Sequence, residues 1–219
     1  MSVRRRSAAV CSSSGYRVKK SLHASERDTP RVVRLRARWR QKRRHLDPRP
    51  LIFVDESGLN LAFTRLYARA PRGVRAVGSV PQNYGQSLTV LAAWDCCGIR
   101  AALMVPGATD QEVFLSFVRQ VLGPQLRPGA VVVMDNLAAH KGTAVAEALR
   151  AMRAQLCYLP PYSPDYNPIE QAWSKIKTLL RGVGARTRRK LYRSLHSTLA
   201  QVTAQDAEAW FAHCGYPLH

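Results

Sequence analysis

Three acidic residues stand where acids are costly to keep. Asp55 follows the apolar run Leu-Ile-Phe-Val, Asp135 follows Val-Val-Val-Met, and Glu170 comes two residues after Pro168, at the opening of a predicted helix. A carboxylate at the end of a buried strand must find a cation, a hydrogen-bond donor or a shifted pKa. If the two strands are neighbours in one sheet, Asp55 and Asp135 meet at its edge, and like charges that close call for a divalent cation between them. Oxygen-only ligands completed by water suit Mg²⁺ or Mn²⁺. Two such ions can activate a water or a 3′-OH and stabilise the leaving oxygen during in-line attack on a phosphodiester. Each acid also has a plain structural use. Asp55 could accept hydrogen bonds from the turn at Ser57-Gly58, and Asp135 could cap the turn into the next helix. Glu170, three residues after Asn167, fits the return half of a capping box, and Pro168 at the first helical position fixes where that helix begins.

The charge balance points to the same chemistry. In 219 residues there are 34 Lys+Arg against 14 Asp+Glu, a net charge of +20. Such an excess attracts polyanions, nucleic acid first among them. Residues 1–49 alone hold 16 Lys/Arg and 3 acids. The first fourteen residues, rich in Ser and Arg, read as disordered. A helix is then predicted from Pro30, capped by Thr29, to Arg44, with Val32, Leu35 and Trp39 on one side and basic residues on the rest. The reading favoured for 1–49 is a basic N-terminal helical arm on DNA backbone. A solvated helix lying on the domain or a membrane-surface helix shares that signature. No apolar run approaches membrane-spanning length, and the N-terminus lacks the apolar stretch of a secretory signal. Five cysteines without CxxC spacing argue against a disulfide framework or a zinc site and for a reducing, intracellular setting.

The elements that must position the acids follow from periodicity. A short buried strand is predicted over 51–56, with weak strand signals at Tyr67 and Val74–Val77. Two strands joined at Gly98 come next, then a helix capped by Thr109 or Asp110 and running to Leu126. An unbroken valine run ending at Asp135 suits a strand buried on both faces. A helix over 141–152, a strand over 155–159, the turn PPYSPDYNP and two or three further helices complete the chain. This order predicts an α/β domain over 50–219: a mixed five-stranded sheet with flanking helices that fits a ribonuclease-H-like fold.

With these residues in view, the chain resembles the transposases of bacterial insertion sequences in the mariner superfamily. The resemblance is carried by KKSLHASERD (19–28), FVDESGLN (53–60), VVVMDNLAAHK (131–141), YLPPYSPDYNPIEQAWSKIK (158–177) and FAHCGY (211–216). It implies a ribonuclease-H-like catalytic domain whose Asp-Asp-Glu triad, here Asp55, Asp135 and Glu170, binds two Mg²⁺ or Mn²⁺ ions. The 35-position gap between Asp135 and Glu170 looks like the family's spacing. The implied activity is cleavage of DNA at transposon inverted-repeat ends and transfer of the freed 3′-OH to target DNA, commonly at TA. Because transposition joins two ends, a homodimer is expected on mechanistic grounds. It further implies a bacterial, cytoplasmic, nucleoid-associated protein.

Other residues can be weighed beside the triad. Asn136 and His140 are similar to the family's Asp-Asn-x-x-x-His element, supporting the acidic strand end or touching DNA. His140 serves equally well as an ordinary helix-start histidine. Tyr162, Ser163 and Pro164 could position a phosphate or shape the loop before Glu170. Lys175, Lys177 and Arg181 head a second basic cluster that could contact DNA or simply form a solvated helix face. Trp173 reads as core. Full-length members carry helix-turn-helix domains ahead of the catalytic part, so this chain is expected to lack the base-reading module, as a truncated copy or a split-gene product. Two alternatives remain: another ribonuclease-H-like nuclease, and a silent DNA-binding remnant that regulates full-length transposase.

Overall fold

Strands β1 (Leu51–Leu59), β2 (Leu88–Asp95), β3 (Gly98–Pro106), β4 (Val131–Met134) and β5 (Gln155–Tyr158) form one mixed sheet in the order β3-β2-β1-β4-β5. The computed structural model describes residues 23–85, 87–136 and 142–217. The Ser/Arg-rich start and His140 lie outside the described residues. β2 and β3 pair antiparallel through a tight turn in which the Asp95 carboxylate accepts the Cys97 N–H at 2.8 Å. Gly98 leaves that turn at φ +125°, where a side chain would be strained. β1, β4 and β5 run parallel, and parallel neighbours require helical crossovers. These are α2 (Gln111–Ser116, continuing as π-type turns over Phe117–Leu122) and α3 (Thr143–Ala151). The Asp110 carboxylate caps α2 by accepting the Val113 N–H at 2.8 Å, as its sequence position suggests.

Strand alternation sorts the core into two layers. Ile52, Val54, Val132 and Met134 pack with Phe114, Phe117, Val118, Val145 and Leu149 of the crossover helices. Phe53, Val90, Trp94 and Val133 point the other way, towards α4 (Ile169–Val183), α5 (Arg188–Leu199) and α6 (Ala204–His213). Phe53 meets Phe211 and Tyr216 edge-on, with ring centroids 5.4 and 5.2 Å away. The helix α1 (Pro30–Arg43) lies on this second layer, with Trp39 in its core.

Several local expectations need correction. Residues 60–85 contain no strand, and Tyr67 and Val77 are 89% and 93% exposed, so β-prone side chains there find no partner to pack on. β1 continues to Leu59 because β2 pairs with it as far as Leu88, which puts Asp55 inside a strand rather than at its end. The buried stripe of α1 is Val32, Arg36 and Trp39, with Leu35 only half-buried. Thr29 holds the N-cap position of α1 ahead of Pro30, as expected, but its side chain makes no cap bond; the hydroxyl donates back to the Glu26 carbonyl at 2.8 Å.

Candidate active site

Register brings the first two acids together. β1 and β4 are parallel neighbours paired from Leu51↔Val131 to Val54↔Met134, so Asp55 and Asp135 each follow the last matched pair. By alternation they share the face of Phe53 and Val133, which α4 covers. Glu170 stands in the first turn of α4. All three acids line one pocket of about 440 Å³, together with Asn136, Asn167 and the Leu159–Pro164 loop.

The helix start explains why Glu170 faces this pocket. Backbone at Asn167 is extended (φ −108°, ψ 103°) and turns helical at Pro168 (φ −59°, ψ −24°). No side chain caps this start, so the capping box open to Asn167 and Glu170 does not form. The Asn167 side-chain oxygen is buried without a hydrogen-bond partner among the described residues. At its far end α4 stops at Gly184 (φ +56°, ψ +48°), the left-handed conformation that suits glycine.

The acids strain against one another. Burial, with the charges of Glu170 and Asp135 added, pushes Asp55 up to about 7, although the Glu56 and Trp173 N–H groups oppose the rise. Those donors reach Asp55 at 2.8 and 3.2 Å. Burial also raises Glu170, with the Lys177 ammonium opposing and Asp135 adding to the shift. The donor set fits a hard divalent cation: three carboxylates, an orphaned amide oxygen, and repulsion that a cation would offset. Among the described residues no three His, Cys, Asp or Glu side chains form a group that could hold a metal ion as placed. The acids therefore surround the pocket without closing on one point.

One wall of the pocket is held from α1. Arg36, only 7% exposed, donates to the Tyr162 carbonyl (3.0 Å), the Ser163 hydroxyl (2.7 Å) and both Asp165 oxygens (2.9 and 2.6 Å). Its guanidinium also lies 4.4 Å from the Tyr166 ring centroid. Burial works to raise Asp165, but the hydrogen bonds and charge of Arg36, aided by Arg27, win and hold it below the usual range. Within this clamped loop Tyr162 takes φ +54°, a left-handed conformation unusual for a bulky residue. Strain of that kind persists where surrounding contacts over-determine the backbone.

The remaining site candidates divide. Asn136 is exposed and lines the pocket. Lys177 acts on Glu170. Lys175 instead bonds Asp206 at 2.5 Å, joining α4 to α6, and Arg181 stacks 5.1 Å over Phe63. Sequence reasoning missed Arg36, because arginines on α1 were all counted as surface. The i, i+4, i+7, i+11 series Val32–Arg36–Trp39–Arg43 was the available signal. It also placed Trp173 in the core without its second use, the indole N–H on Asp55.

A mixed five-stranded sheet that gathers acids from two parallel neighbours and a covering helix defines a class. Residues 50–191 match the DDE superfamily endonuclease family, and the chain belongs to it. It is similar to the Transposable element Tcb1 transposase of Caenorhabditis briggsae, 27% identical over 163 residues, which cover 68% of this chain and 60% of that one. The Tcb2 transposase of the same organism is 27% identical over 144 residues, 61% of this chain and 53% of the relative. The chain thus spans between half and two thirds of the length of these relatives. Among solved structures, the Mos1 transposase paired-end complex with left transposon end superposes with a TM-score of 0.73 at 17% identity, over 97% of this chain and 67% of that one. The Mos1 mariner paired end complex with Mn gives 0.73 at 17%, over 97% and 68%. These likenesses establish the fold as ribonuclease-H-like.

Proposed function

We propose that this chain is the catalytic part of a transposase that cuts DNA at transposon ends and joins the freed 3′-OH to target DNA, with Asp55, Asp135 and Glu170 as its metal-binding triad. The observation that carries this reading is the convergence of those three acids on one pocket. The family match and the Tcb1 and Mos1 likenesses support it. Two bound Mg²⁺ or Mn²⁺ ions would supply activation of the attacking oxygen and stabilisation of the leaving one. The chain's own residues do the rest. The Glu56 and Trp173 N–H groups orient Asp55. The Arg36 clamp sets the loop that leads into Glu170. Pro168 fixes the helix start and hence the direction of Glu170. Asn136, at the pocket's rim, is suited to a phosphate or the flanking backbone. The substrate is transposon inverted-repeat DNA and the target a TA step, with two protomers pairing two ends. The cellular setting is the bacterial nucleoid.

Nicking of supercoiled plasmid with Mg²⁺ or Mn²⁺ tests this, wild type against Asp135→Asn. Metal-dependent nicking lost in the variant supports the triad. Nicking that survives Asp135→Asn removes Asp135 from it, and tight DNA binding without nicking by either protein favours a silent DNA-binding role.

A further inference from the structure

The acid pocket does not end at Asn136. A second groove of about 300 Å³ adjoins it, sharing Asn136 and the Leu159–Pro161 segment as a common wall. Its far wall is α1, which contributes Arg38 and Lys42 one turn apart. Both are exposed, and among the described residues no acid lines the groove. Its floor is apolar and aromatic, with Trp39 and Tyr158, and the Lys42 ammonium sits 5.6 Å from the Trp39 ring centroid. Residues at i and i+4 on a helix have Cβ atoms about 5–6 Å apart, so the two long basic side chains spring from one face within reach of successive phosphates of one strand.

We propose that this groove is the backbone track for the DNA strand leaving the acid pocket, with Arg38 and Lys42 each holding a phosphate. The inference rests on the reading that the acid pocket takes DNA. The groove deepens that reading by naming where the strand goes next. Charge alone would not single out these two residues, since α1 bears many arginines. Position does. The buried stripe of α1 contains Arg36 and Trp39. At about 100° per residue Arg38 and Lys42 fall on the flank towards the pocket, and Arg40 and Arg44 on the opposite flank. Arg44 there lines a separate hollow with His45 and Asp47.

That opposite pair supplies the control, with the same charge and spacing, Arg40 in α1 and Arg44 at its C-cap, still in helical backbone (φ −64°, ψ −22°). The experiment measures affinity for a fluorescein-labelled 30-base-pair duplex of arbitrary sequence against KCl concentration, in EDTA so that no metal chemistry intervenes. Compared are wild type, Arg38→Gln/Lys42→Gln and Arg40→Gln/Arg44→Gln. Two phosphate contacts at about 0.9 each predict that the groove pair lowers the log–log salt slope by roughly 1.8. The opposite pair is expected to change it by well under half of that. Equal losses for both pairs would mean diffuse attraction and overturn the track, as would an unchanged slope in the groove pair. Thermal melting of each variant confirms that the fold is kept, which exposed positions permit. Because binding is read without metal, its outcome is independent of whether the triad cleaves. A protein that binds through the groove but never nicks would sink the catalytic reading and leave the track standing.

Discussion

Asp55 shows how a single residue can be held against its own interest. It is kept among two other carboxylates and mostly out of water, and its pKa rises to about 7. An acid whose folded pKa lies above its unfolded value near 4 favours the folded state most at low pH. That contribution is lost as pH climbs from about 4 to 7. In metal-free buffer Asp55→Asn is therefore expected to stabilise the protein at pH 7.5, by roughly 1–3 kcal/mol, with the gain vanishing near pH 4. Urea denaturation in EDTA at the two pH values checks this; a variant less stable than wild type at pH 7.5 would mean that Asp55 is satisfied where it stands. The same substitution is expected to abolish metal-dependent nicking. Trp173→Phe probes the other side of Asp55, keeping most of the apolar packing while removing the indole donor. A loss of about 1–3 kcal/mol is expected from the unmet carboxylate and the smaller ring, read as a lower urea midpoint. The acids themselves were legible, since a carboxylate after four apolar residues is conspicuous. The indole N–H was not, because sequence shows that a tryptophan is buried but not where its one polar atom points.

At the scale of elements, the site depends on the meeting of β1, β4 and the start of α4, with α1 bracing the loop before it. The two apolar runs were readable as strands, but their parallel pairing stood only as a condition. The β2–β3 hairpin and a helix lie between them, and local pattern does not say which strands become neighbours. The length of β1 was not readable either, because β2, distant in sequence, extends it. The bracing by α1 was hidden for a different reason: hydrophobic periodicity treats arginine as surface, yet Arg36 is buried once its guanidinium is satisfied by Tyr162, Ser163 and Asp165. Arg36→Gln leaves Asp165 without its main partner and the Ser163 loop without its anchor. Because Asp165 remains partly exposed, the expected cost at pH 7 is about 2 kcal/mol rather than that of a fully buried broken pair. The pH dependence follows from the lowered pKa of Asp165. The ion-pair contribution is present above the unfolded carboxylate range near 4 and is lost as pH falls through the lower folded value. The stability gap between wild type and Arg36→Gln should therefore narrow as pH falls below the unfolded carboxylate range, and an undiminished gap would show that the guanidinium acts through its neutral partners and packing alone. Arg36→Lys, able to pair but not to fork across two oxygens, is expected to fall between them.

Across the whole molecule, the two ends of the described chain close on the same core. Trp39 of α1 donates its indole N–H to the Tyr216 hydroxyl at 3.2 Å, and that hydroxyl donates to the Tyr166 carbonyl at 2.7 Å. One buried oxygen thus links α1, the C-terminal tail and the loop ahead of α4. Arg43 adds a bond to the Cys214 carbonyl and lies 4.4 Å from the Tyr166 ring centroid. The order of strands and helices could be read from local patterns, but this closure could not, since 177 positions separate Trp39 from Tyr216 and neither flank carries a pairing signal. Burial raises the Tyr216 hydroxyl well above the ordinary tyrosine range, although the Trp39 indole N–H opposes the rise, so it stays protonated and keeps its donor role throughout the working pH range. Tyr216→Phe preserves the ring contacts with Phe53 and Phe211 while stranding both an indole N–H and a carbonyl. Two unmet buried groups at about 1–3 kcal/mol each make a loss of roughly 2–4 kcal/mol the expected result, with the urea midpoint lowered and the m-value unchanged. A smaller loss with a reduced m-value would mean instead that the tail detaches by itself and that the core does not depend on its return.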